Sequence, residues 1–293
     1  MHEDLAFVDS AIHFWDLSWQ NHGWLSDPEV WPSQEAYLGD YAILKRNYLV
    51  DDLLDQFDGC NLTKVVHVQA DWGGDPVDET RWLQKLADET GFPQAIVAFT
   101  DLRSVGAAEE LDRHMQSPNM RGIRMHGLMF PDDLLVDPAF RRGFAALAGR
   151  GLNYDLSLSW EQMGKGLDLA GAFPMCQLVV NHTGMPLQRG EAYFRSWRGG
   201  MATLAQAPNI AVKISGLGMG DHDWTVESLR PWVLETISLF GIDRCMFGSN
   251  WPVDTLYGPP RRLIDAYRQI TEGFSPSEQR RLFSENAERI YRT

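Results

Sequence analysis

Eight short apolar, β-rich runs punctuate this sequence, and between most of them lies a segment that starts and stops like a helix. The runs are FVDSAIHF (7–14), KVVHVQA (64–70), QAIVAFT (94–100), RGIRMHG (121–127), LNYDLSL (152–158), QLVVNHT (177–183), IAVKISGL (210–217) and RCMFGSNW (244–251). After the second they recur about every 25 to 34 residues, which suits a strand followed by a crossover helix. The intervening segments carry helix punctuation. DPVDETRWLQKLADETG (75–91) begins at Asp-Pro and closes at Gly. DPAFRRGFAALAGRG (137–151) repeats that arrangement, with Phe140, Phe144 and Leu147 at helical spacing. TVESLRPWVLETISLFG (225–241) opens on a Thr able to cap it and ends at Gly. Eight such units without a break in composition predict an α/β fold, a (β/α)8 barrel forming one domain over residues 1–293.

A chain of 293 residues suits one such barrel and can bury most of its apolar surface in one core. Its 26 basic and 40 acidic residues leave a net charge of −14, which argues against nucleic acid or an anionic membrane as a partner. A small anionic substrate stays possible, because a local Arg can outweigh the global sign. Cys60, Cys176 and Cys245 are widely separated and odd in number, so neither a disulfide framework nor a cysteine metal site is expected. The opening MHEDLAFVDS lacks a basic and an apolar leader region, and no run of about 18 apolar residues occurs. A cytoplasmic protein is therefore expected, and exposed aromatic residues allow a homodimer.

Two stretches depart from the simple repeat. Residues 15–41, WDLSWQNHGWLSDPEVWPSQEAYLGDY, read as a long loop after strand 1, too aromatic to be disordered. Residues 184–199 follow strand 6. In a barrel both belong to the face where the strands end and chemistry is done.

Period-2 alternation selects the polar residues that end each run on the inward face. These are Asp9, Ala11 and His13 on strand 1, His67 and Gln69 on strand 2, Arg124 and His126 on strand 4, and Asp155 on strand 5. Strand 6 gives Val180 and His182, strand 7 gives Lys213 and Ser215, and strand 8 gives Asn250 with Asp254 just beyond. A packed barrel needs Val, Ile and Leu inside, so polar residues gathered at one end of seven strands point to a site. Taken singly, each has an ordinary explanation. His13 or His182 alone fits a buried core histidine, Arg124 an ion-pair partner of Asp155, Lys213 a salt bridge in a barrel layer, and His67 a structural role. Trp15 and Trp251 fit loop packing or a pocket lining.

The ordered set DSAIHFWDL, ETRWLQKLADETGFPQAIVAFTDL, RGIRMHG, VVNHTGMP, PNIAVKISGLGM and RCMFGSNWPVD resembles the amidohydrolase superfamily of TIM-barrel, metal-dependent hydrolases. Within it the set most resembles the lactonase branch acting on sugar lactones and on 2-pyrone-4,6-dicarboxylate. The resemblance covers nearly the whole chain and implies hydrolysis at a carbonyl. It matches His13 to the second His of an HxH metal motif and His182 to a later metal-ligating His. Ala11 stands where that motif has its first His, and Asn250 where many relatives have Asp. A subgroup with SNWPVD carries an Asp four positions on, here Asp254. Two imidazoles and a neutral amide make a poor zinc site. The expectation is a chain without a bound cofactor, the alternative a single divalent metal such as zinc on His13 and His182. Ala11 is either natural or stands in place of a native His.

The resulting expectation is a small-molecule hydrolase that opens a carboxylate- or hydroxyl-bearing lactone. His13, His182, Asn250 and Asp254 form the catalytic group. Gln69, Arg124, His126, Asp155, Trp15 and Trp251 contact the substrate, with Arg124 as a fork for its acid group. Asp254 or a His draws the proton from water, and His13 and His182 polarise the carbonyl. Two rivals keep the fold: a non-oxidative decarboxylase of an aromatic or muconate-type acid, and a catalytically dead binding protein.

Overall fold

The structure is a computed structural model and describes residues 5–125 and 133–293. Eight parallel strands follow one another in chain order: β1 Phe7–Ile12, β2 Leu62–Val68, β3 Ala95–Ala98, β4 Met120–Met125, β5 Asn153–Leu156, β6 Leu178–Val180, β7 Ile210–Ile214 and β8 Cys245–Phe247. The ring closes just beyond β8. Asn250 N donates to Ala11 O at 2.9 Å and His13 N to Trp251 O at 2.7 Å. Ser249 N donates to the Asp9 carboxylate at 2.8 Å. The fold is a (β/α)8 TIM barrel, and each of the eight strands falls on one of the apolar runs.

The helix signals act as their chemistry predicts. Asp75 caps Pro76–Thr90 by accepting from Val77 N, and Gly91 ends that helix at φ +85°. Asp137 caps Pro138–Gly149 through Ala139 N. Thr225 and Ser228 form a reciprocal cap on Val226–Phe240. Phe140, Phe144 and Leu147 turn into the layer between strands and helices, where both phenyl rings pack on Tyr154, centroids 5.8 and 5.2 Å away. Val66, Val68, Val97, Val179, Ala211 and Met246 form a separate inner cluster, joined by Tyr291 of the last helix. Each fully buried side chain of this size contributes about 1.5–3 kcal/mol.

This division corrects the assigned face on three strands. On β1, Val8 joins the inner cluster and Phe7 the outer layer, so Asp9 has the outward parity, and an irregularity between Asp9 and Ile12 changes the phase beyond it. His67 does not point into the barrel. It stacks on Phe14, centroids 6.1 Å apart, and faces Glu79 of the helix Pro76–Thr90. Val180 likewise belongs to the outer layer, and Val179 to the inner cluster. Parallel barrel strands are buried on both faces, so apolarity cannot reveal which parity faces inward.

The long segment after β1 contains the short helix Trp31–Leu38. Its aromatic residues interlock, with Trp15 packed edge-on against Trp24 at 5.5 Å and Tyr48 at 5.2 Å. The segment after β6 is shorter than 184–199, because the crossover helix Glu191–Leu204 starts inside it. Among the described residues no helix is long and apolar enough to cross a membrane.

Candidate active site

The seam where β8 meets β1 brings together three of the sequence-derived residues. His13 follows β1, and its Nδ1 lies 2.7 Å from the Val68 carbonyl, which can only accept; the ring proton therefore sits on Nδ1. Nε2 faces the Asn250 side chain, 3.2 Å from Oδ1. Burial, then the charge of Arg124, push the His13 imidazole down to about 3, so the ring is neutral at pH 7. On its other side the Asn250 amide lies 2.8 Å from Asp254 Oδ1, and Gly218 N donates to Asp254 Oδ2 at 3.3 Å. Burial pushes the Asp254 carboxyl up to about 7, against the opposing pull of those two hydrogen bonds. A Cβ on Gly218 would meet the Tyr257 ring at 2.4 Å and Asp254 Oδ2 at 3.2 Å, so only glycine lets the backbone N–H approach.

Two proton arrangements satisfy this chain of groups. A neutral His13 offers Nε2 as an acceptor, which suits the amide NH2 facing it and the amide carbonyl accepting from a protonated Asp254. The opposite amide orientation suits an ionised Asp254 and a protonated His13. With His13 neutral, the proton of this group resides on Asp254 and is released as pH rises through about 7. A bare Nε2 also changes the role expected of His13. Neutral, it has no N–H left on Nε2 to polarise a carbonyl, and that nitrogen faces the Asn250 side chain.

His182 follows β6 in a turn with φ +49°, and its Nδ1 lies 3.0 Å from Ser215 Oγ beyond β7. Met219 joins this half to the first. Its sulfur is 3.6 Å from Asn250 Nδ2. Its Cε and His182 Nδ1 each lie 2.7 Å from the point a Cβ would occupy on Gly216. The Tyr37 hydroxyl donates to the same sulfur at 3.1 Å. Neither Tyr37 nor Met219 stood out in the sequence. Tyr37 is one of many aromatic residues in its segment, and Met219, although it ends the run PNIAVKISGLGM, is an apolar residue to which no site role was assigned.

Arg124, on β4, is buried and donates Nη2 to the Gln69 carbonyl. Among the described residues its Nε has no partner and no carboxylate lies within ion-pair distance of it. Asp155 is not that partner, nor does it face a substrate. Both its oxygens are taken inside the barrel, by Lys213 Nζ at 2.6 Å and Tyr291 OH at 2.8 Å. The alternative reading of Lys213, a salt bridge in a barrel layer, is the observed one. Gln69 closes a local turn with Asp71, accepting from Asp71 N at 2.6 Å, and reaches Arg124 only through its backbone carbonyl. Trp15 is fully buried and donates to Arg46 O at 2.6 Å, so it supports the loop. Trp251 is also fully buried, donating to Gln56 Oε1 at 2.9 Å. It borders a cavity of about 10 Å³ that Ser249, Asp254 and Thr255 also line, room for about one water. His126 lies outside the described residues.

The family resemblance implies a divalent metal, and the donor set tests it. The Ala11 methyl stands where an imidazole would complete an HxH pair, and Asn250 presents an amide. Among the described residues no group of three His, Cys, Asp or Glu side chains could hold a metal ion. These residues do not fit a three-ligand catalytic zinc.

A closed (β/α)8 barrel with imidazoles, an amide, a carboxyl and a buried cation gathered where its strands end has the layout of barrel enzymes. The chain belongs to the amidohydrolase family, whose model matches residues 8–293. It is 46% identical to uncharacterized protein y4mH of Sinorhizobium fredii, over 99% of both chains. It is 27% identical to an L-fucono-1,5-lactonase of Burkholderia ambifaria, over 97% of this chain and 95% of the other. Among solved structures it superposes on an amidohydrolase of Burkholderia multivorans with bound zinc, at TM-score 0.85 and 26% identity, covering 98% and 99% of the two chains.

Proposed function

We propose that this chain opens the ring of a small hydroxyl- or carboxylate-bearing lactone by water attack on the carbonyl. The observation that carries the proposal is Asp254, whose buried carboxyl is pushed up to about 7 and fixed by Asn250 and Gly218 at the barrel mouth. Such a group can take a proton and return it near neutrality. Support comes from the similarity to proteins named L-fucono-1,5-lactonase, at 27% and 28% identity.

In the proposed cycle, Asp254 accepts a proton from water as the oxygen attacks the lactone carbonyl. The tetrahedral intermediate then expels the ring oxygen, which takes the proton back from Asp254, leaving a hydroxy acid. His182 and the free Arg124 Nε are the donors for negative charge on the carbonyl oxygen or on a substrate acid group. One such donor is often worth roughly 3 kcal/mol in the transition state. Asn250 stands between His13 and Asp254, and the aromatic segment after β1 excludes bulk water. No step is assigned to a metal.

A panel of sugar lactones and dicarboxylate lactones, assayed by acid release beside a set of aromatic acids, tests this. Lactone opening that falls by orders of magnitude in His182→Ala supports it. Decarboxylation of an aromatic acid with no lactone opened would replace it by the decarboxylase reading, and inactivity on both sets by that of a binding protein. Elemental analysis of the same preparation decides whether zinc is present.

A further inference from the structure

Tyr37 brings a hydroxyl into the site from outside the strand ends, and that hydroxyl has a poor partner. It donates to the sulfur of Met219 at 3.1 Å, and a thioether is only a weak acceptor. The sulfur also lies 3.6 Å from the Asn250 amide nitrogen, and the methyl of the same side chain reaches, with His182 Nδ1, the space over Gly216. A flexible, unbranched side chain thus fills the space where the two halves of the site meet. The backbone next to Tyr37, by contrast, is tied to the site's rim. The Tyr257 hydroxyl donates to Leu38 O at 3.0 Å, and the His222 ring stacks on Tyr257 at 4.6 Å. A strong donor is therefore presented on a fixed support, matched to an acceptor that a substrate oxygen outcompetes.

We propose that Tyr37 is a substrate-binding residue: a hydroxyl or ring oxygen of the lactone displaces the Met219 thioether and accepts the Tyr37 hydrogen bond in its place. This rests on the lactone-opening reading above and extends it to substrate selection. It also sets the degree of selectivity. A site that strands a buried donor rejects a substrate lacking the matching oxygen very strongly. Here a deoxy substrate leaves Tyr37 on Met219 instead of unpaired, so discrimination is modest, on the order of 10-fold.

The test compares wild type, Tyr37→Phe and Met219→Leu on a fully hydroxylated 1,5-aldonolactone and its single-deoxy analogues, with thermal midpoints measured alongside. Tyr37→Phe is expected to lower kcat/KM on the hydroxylated lactone about 10-fold, mainly through KM, and to erase the preference over one deoxy analogue while the midpoint stays put. Met219→Leu keeps the volume but removes the fallback acceptor, so it should widen that preference. Equal losses on every lactone together with a lowered midpoint, or no loss at all, overturn the role of Tyr37. If Tyr37→Phe does not accumulate folded, an unchanged preference in Met219→Leu overturns it. Absence of lactone opening by the wild type removes the lactonase reading and this proposal with it, whereas active wild type with an indifferent Tyr37→Phe removes only the proposal.

Discussion

Asn250 Nδ2 lies 2.8 Å from Asp254 Oδ1, and the two residues are four apart in the short segment after β8. Asn250 has φ +59°, a backbone conformation that Asn tolerates better than most residues with a Cβ. The turn that closes the barrel thereby also sets the amide between His13 and the carboxyl.

The Asp254 carboxyl, pushed up to about 7, must be ionised to act as a base. Lactone kcat/KM should therefore rise with pH below about 7 and level off above it. Asp254→Asn should abolish that limb and lower turnover by about 10²–10⁴. The same shift predicts a stability effect. A carboxyl with a folded pKa near 7, raised from 3.8, contributes stability that is full below 3.8 and is lost as pH rises through 7. Denaturant titrations should show Asp254→Asn gaining on the wild type between those limits. A constant difference would mean the group is not perturbed.

Arg124 has an unpartnered Nε and no carboxylate within ion-pair distance among the described residues. Arg124→Gln should raise KM for an acidic lactone about 10- to 100-fold, as loss of a charged hydrogen bond implies, and for a neutral one far less. Equal changes on both substrates would leave Arg124 a purely structural cation.

Lys213 and Asp155 are both fully buried and 2.6 Å apart. Lys213→Met leaves the carboxylate facing only Tyr291 and should cost about 3–5 kcal/mol in urea unfolding. The double change Lys213→Met with Asp155→Leu should recover most of that loss. Additive destabilisation instead would show that the pair is not coupled.

Ala11 occupies the place of a missing imidazole, with His13 two residues on. Ala11→His should raise zinc in the purified protein toward one ion per chain by elemental analysis, from a lower value in the chain as it stands. A wild-type preparation already holding one tightly bound zinc would overturn the donor-set argument.

Strand positions, helix ends and the amidohydrolase family were legible in the sequence because each rests on local chemistry. Asp75, Asp137 and Thr225 cap helices through bonds to backbone groups two or three residues away, and an apolar run marks a strand wherever it ends up. His13, Asn250 and Asp254 were found for a related reason: they sit next to strand ends, which fold class alone sends to one face.

The tertiary structure decided the rest, because it depended on partners distant in the chain. His67 and Val180 face outward although alternation put them inside, since a strand buried on both sides gives no sign of its phase. Asp155 belongs to Lys213 and Tyr291, the latter 136 positions away, and leaves Arg124 its unpaired nitrogen. Tyr37 and Met219 meet across 182 positions. A sequence fixes which groups can donate, accept or carry charge. Which of them find each other in a space without water is set only when the ring of strands closes.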